Sequence, residues 1–118
     1  TGTFRDYFSG SAKGLYSEIK ISSAGKGKLK VGFDLTYPYK VGREMTANEG
    51  AAQGEATIAG DTATYSSTEF GQCKITIKFA KPGRIEVTQS GNDTDCGFGA
   101  NVSASGTCKK VSGARPKF

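Results

Sequence analysis

The sequence predicts an all-β fold: an antiparallel meander of about eight strands that closes into a small barrel or sandwich, with at most one short helix. Three observations lead there. Several segments alternate apolar and polar residues with period two, the mark of a strand with one face on a core. Turn chemistry recurs between them at about ten-residue spacing. Seventeen glycines stand against three prolines in 118 residues, with no Gly-X-Y period.

The first strand candidate is Thr3 to Phe8, weakly patterned. Leu15 to Ile21 alternates better, with Ile19 and Ile21 inward and Glu18 and Lys20 outward. Ser22 to Gly27 separates it from Leu29 to Leu35, where Leu29, Val31, Phe33 and Leu35 share one face. Glu55 to Ile58 and Thr62 to Tyr65 are weaker strands joined by Ala59-Gly60-Asp61. Ile75 to Phe79 and Ile85 to Thr88 are strong, and Lys81-Pro82-Gly83 makes their hairpin connection, because proline sets φ and glycine accepts positive φ. Val102 to Lys110 closes the series. One apolar and one charged face per strand is what an antiparallel sheet around one core requires.

Two stretches fit no strand. Pro38 to Gln53 reads as a loop whose middle, Arg43 to Glu49, has room for about two helical turns. Ser90 to Ala100 is Gly-rich and acidic at Asp93 and Asp95. Long loops in compact domains are often functional. The whole chain, 1–118, reads as a single domain, with 113–118 expected as a flexible tail. A chain of this length buries roughly 65% of its unfolded surface, enough for one core.

Composition excludes several functions. There is no histidine, which removes Ser-His-Asp and Cys-His machinery and the usual general base near neutral pH. No phosphate-binding glycine loop occurs, and Gly97-Phe98-Gly99 leads into no helical pattern. The pairs Asp93 with Asp95 and Glu44 with Glu49 are the remaining carboxylates for a glycosidase scheme, and they sit in loops where solvated charge is the plainer reading. Asn92, Asp93 and Asp95 lack the twelve-residue calcium-loop spacing. The expectation is no enzyme, no cofactor and no metal. No apolar run reaches about eighteen residues, so no membrane span is expected. The net charge of +5 favours acidic partners in general, but the lysines are spread, so only weak, non-specific nucleic-acid binding is expected.

Three cysteines, Cys73, Cys96 and Cys108, offer one disulfide and one thiol. A turn at Pro82-Gly83 sets Cys73 opposite Gln89 to Asn92, close to Cys96. Cys96 with Cys108 is the rival pair, and three buried thiols are the third option. A disulfide would place the chain in an oxidising compartment. Cys108 shares the parity of Ala104 and Gly106 and is expected to point inward.

Cys73 to Ile77, Ile85-Glu86-Val87, Cys96-Gly97-Phe98-Gly99-Ala100 and Ser105-Gly106-Thr107 together resemble small secreted all-β proteins of proteobacteria, whose ends read C-G-x-G-A and then G-T-Y-x-K. Gly54 to Tyr65 is similar to their middle. The resemblance covers the second half of the chain. It implies a periplasmic or secreted barrel with a disulfide equivalent to Cys73–Cys96, and lysozyme inhibition as the nearest function. The chain departs from the group at Cys108, where tyrosine is usual, and it lacks the inhibitors' Ser-Gly-x-x-Tyr loop.

The functional expectation is therefore a monomeric binding or inhibitory module that meets a protein partner through its two loops. Arg43 and Glu44 in the first loop, with Asp93, Asp95 and Phe98 in the second, are the expected binding residues, Phe98 being equally suited to the core. The alternatives are a small-ligand carrier using the barrel interior, and a polyanion binder using the lysines with Tyr7, Tyr16, Tyr37 and Tyr39.

Overall fold

The computed structural model describes residues 1–118. Eight strands follow in order: β1 (Gly2–Tyr7), β2 (Tyr16–Ser23), β3 (Lys28–Val41), β4 (Glu44–Ala59), β5 (Thr62–Ser67), β6 (Cys73–Lys81), β7 (Arg84–Ser90) and β8 (Gly106–Ser112). Each pairs antiparallel with the next, and β1 pairs with β8, so the sheet closes into a barrel. That closing pair decides between barrel and sandwich.

Period two explains the strands. Ile19 and Ile21 on β2, Val31, Phe33 and Leu35 on β3, Ile75 and Ile77 on β6, and Ile85 and Val87 on β7 are all buried. Their neighbours Lys30, Lys74, Lys78 and Glu86 are exposed on the outer face. A barrel of eight strands has an interior just wide enough for side chains to fill. Here branched aliphatics fill it, and it is a packed core. β4 contributes little bulk, because its neighbours reach over it. The Tyr65 ring lies where a Cβ on Gly54 would approach to 3.0 Å, and it meets Phe33 at 5.3 Å between centroids.

The expected loop and helix over Pro38 to Gln53 are absent. That stretch belongs to the β3–β4 hairpin, which runs through fourteen residue pairs from Lys28↔Thr57 to Val41↔Glu44. Cross-strand hydrogen bonding overrides the weak helical pattern of Arg43 to Glu49. The one helical element is a 3-10 turn at Gly10–Ala12. β2 covers β3 only from Leu29 to Asp34, and β5 covers β4 only from Ala56 to Ala59. Beyond these limits the hairpin continues as a two-stranded ribbon, and the molecule's long axis reaches 49 Å.

Residues 113–118, expected as a flexible tail, lie on the outer face of β2 and β3. Arg115 donates to the Ser23 carbonyl at 3.1 Å and Lys20 to the Lys117 carbonyl at 2.8 Å. The Phe118 ring sits over Gly32 beneath the Lys30 ammonium, 4.6 Å from the ring centroid. No helix is long and apolar enough to cross a membrane.

The two ends of the barrel differ. One carries short turns, at Gly25–Gly27, Gly60-Asp61 and Pro82-Gly83, together with the start of β1 and the end of β8. The other carries the 8–15 connection, the ribbon, the 68–72 connection and the long 91–105 loop.

Candidate functional site

The loop-bearing end is built from the ribbon and the 91–105 loop. The ribbon turns at Gly42-Arg43 between the paired residues Val41 and Glu44. Gly42 has φ of 63° and Arg43 a negative φ, the pattern of a type II′ hairpin turn, whose first central position favours glycine. Arg43 and Glu44 are exposed at this tip. On one ribbon face the inward parity of β3 continues past the core, and Tyr37 and Tyr39 stack there at 6.5 Å.

The 91–105 loop is held by its own side chains. The Cys73–Cys96 disulfide ties it to the start of β6, with Cα atoms 4.9 Å apart. The hairpin register places Lys74 opposite Ser90, which leaves Cys96 a short reach to Cys73. The Asn92 side-chain oxygen accepts from the Asp95 N–H at 2.9 Å and the Thr94 hydroxyl at 2.7 Å. Asp93 accepts from the Thr94 N–H at 2.8 Å and the Asn101 N–H at 2.6 Å. Asp95 accepts from the Asn92 N–H at 3.1 Å. Both carboxylates thus hold the loop's shape. Phe98 is buried, its ring in the slot left by Gly50 of β4, where a Cβ would come within 2.7 Å.

The loop is fastened to the ribbon stem. The Gly99 N–H donates to the Glu49 carbonyl at 3.0 Å, and Asn48 donates to the Ala100 carbonyl at 2.9 Å. The two stretches singled out in the sequence therefore meet on one end of the barrel. They meet at Asn48 to Gly50, short of the tip, and neither ion pair of the chain (Arg5–Glu18 and Lys28–Glu55) involves Arg43, Glu44, Asp93 or Asp95.

Sequence reasoning missed two features of this end. The first is a concentration of exposed apolar side chains: of the seven large hydrophobics left exposed, Tyr7, Tyr37, Tyr39, Val41 and Phe70 lie here. The second is a cavity of about 190 Å³ at the barrel mouth, lined among others by Asp6, Phe8, Ser17, Tyr37, Asn101 and Cys108. Asp6 follows Gly2 and Phe4 on the inward face of β1 and pairs with the buried Ser17. Period two, applied to Thr3–Phe8, would have flagged a charged residue on an inward face. Burial raises the Asp6 pKa above the ordinary carboxyl value. Burial, and then the nearby Asp6, pushes the Cys108 thiol up to about 12. That thiol is free and inert as a nucleophile near neutral pH. No group of His, Cys, Asp and Glu side chains is disposed to hold a metal.

No family model, curated protein or solved structure matches this chain.

Proposed function

We propose that the protein is an extracytoplasmic recognition module that binds, and thereby inhibits, a protein partner through its loop-bearing end. One observation carries this reading: five of the seven exposed large hydrophobics gather at the end where the 91–105 loop is fastened to the β3–β4 ribbon. Aromatic residues and arginine are enriched in protein interfaces, and rigid loops lose little entropy on docking. Tyr37, Tyr39 and Arg43 are the anchors in this reading, while Asp93, Asp95 and Phe98 support the loop from within. The packed interior argues against carriage of a ligand inside the barrel. The disulfide supports an oxidising compartment. The second-half resemblance suggests a lysozyme-type wall hydrolase as the partner, and it supports binding rather than catalysis.

The test is site-specific photocrosslinking in the cell envelope. A crosslinker at Tyr39 or Arg43 yields a discrete protein adduct, and one at Gly60 on the opposite end yields none. Equal adducts from both ends, or none from either, would sink the proposal. With the partner in hand, Tyr39→Ala or Arg43→Ala weakens binding more than about tenfold, the scale of an interface hot spot. The melting temperature stays unchanged, because both side chains lie outside the core.

A further inference from the structure

The mouth cavity contains a carboxylate that the protein leaves alone. Ser17, Ser103 and Ser105 each accept a backbone N–H, from Thr36, Ser105 and Gln89, at 2.9–3.1 Å. The Asp6 carboxylate makes no hydrogen bond and no ion pair with the protein. The chain carries a net charge of +5, yet no lysine or arginine turns to it. Its neighbour Arg5 points to the outer face, where it donates to the Tyr7 hydroxyl at 3.1 Å, lies 3.7 Å from Glu18 and stands over the Tyr16 ring. The carboxylate lies against the Gly106 backbone at the start of β8, where a Cβ would stand 3.2 Å from Asp6 Oδ2.

The Asp6 carboxylate is half-buried, still meets solvent and has no charged partner in the protein, so a cation can complete it with a charge-assisted hydrogen bond. The remaining wall selects among cations. Phe8 and Tyr37 offer aromatic surface to an ammonium and its methylenes. A single carboxylate falls short of the six to eight oxygens that calcium takes. About 190 Å³ is below the range of drug-sized sites and suits a short chain with one charged head.

We infer that this cavity is a receptor for a primary alkylammonium group, with Asp6 as its counter-ion and Phe8 and Tyr37 as its aromatic wall. The group comes either from a free amine or from a lysine side chain. The inference shares Tyr37 with the loop-recognition reading but does not rest on it, since its test needs no partner protein.

The experiment titrates n-butylamine, its neutral isostere n-butanol and N-acetyl-lysine methylamide into the protein, followed by amide NMR. Butylamine is expected to give saturable shifts at Asp6, Ser17, Tyr37 and Asn101, and butanol to give none there. Asp6→Asn weakens butylamine binding more than about tenfold, the value of one charge-assisted contact. A lysine derivative that binds more tightly than butylamine identifies a side-chain ligand, and equal binding identifies a free amine. Should Asp6→Asn not fold, the wild type decides by itself: amine binding is lost as pH falls and the carboxylate is protonated. Absence of saturable shifts, equal response to amine and alcohol, or undiminished binding by folded Asp6→Asn overturns the assignment.

Discussion

Reducing the disulfide is the perturbation whose cost follows most directly from the structure. Cys73 and Cys96 are 23 residues apart in sequence. In the chain-entropy treatment, closing a loop of that length removes about 3.5 kcal/mol of denatured-state freedom at 25 °C. Stabilities of single domains are about 5–15 kcal/mol, so this is a large share of the total. At about 4 °C per kcal/mol for a domain of this size, reduction lowers the melting temperature by about 14 °C. Both cysteines are buried, at 3% and 6% exposure, so reductant acts through the unfolded chain. The assay is therefore equilibrium urea denaturation with and without a phosphine reductant, each sample held until the transition stops moving. Cys108 is a free thiol, so both series are run at mildly acidic pH, where a protonated thiol exchanges slowly with the disulfide while a phosphine still reduces it. The native loop keeps its Phe98 and Asp93 contacts after reduction, so the loss falls on the denatured state. A loss below about 1 kcal/mol would refute the reasoning, because the denatured chain would then not be the state the bond constrains.

Two further outcomes are expected. Gly50→Ala puts a Cβ 2.7 Å from the Phe98 ring. Overpacking of about 1–3 kcal/mol outweighs the smaller gain from a stiffer unfolded chain, so thermal melts show destabilisation; the same change costs less in a Phe98→Leu background, and additivity of the two changes would refute the contact. Burial pushes the Cys108 thiol up to about 12 in the fold, from an ordinary value of 9.0. Above pH 9 only the unfolded chain ionises this thiol, so its contribution to stability is full below pH 9 and is lost as pH rises towards 12. The difference in urea midpoints between the wild type and Cys108→Ala across that range measures the thiol's share of the slope, and a thiol reagent at neutral pH labels the unfolded chain only.

The amino-acid sequence by itself determined the parts of the fold that face a core. β2, β3 to Leu35, β6 and β7 were legible because each places branched apolar residues at every second position, and burial enforces that period. The Cys73–Cys96 pair was within reach for a related reason: a turn at Pro82-Gly83 fixes which residues of two strong strands face each other. The thiol of Cys108 was placed inward by the same parity. Pro38 to Gln53 was not legible. On a ribbon that leaves the barrel there is no core to impose alternation, so Thr46, Ala47 and Asn48 carry no strand signal, and only pairing with Tyr37 to Tyr39 makes them a strand. Asp93 and Asp95 show the same limit: a loop carboxylate reads as a ligand group until the N–H groups of Asn92, Thr94 and Asn101 are seen to occupy it. Tertiary structure alone decided closure through β1 and β8, the seat of Phe98 against Gly50, and the meeting of the 91–105 loop with the β3–β4 ribbon at one end. It also decided that Asp6, an ordinary acidic residue in a weak strand, stands unpaired at the barrel mouth. These depend on contacts between residues far apart in the chain, which no local pattern encodes.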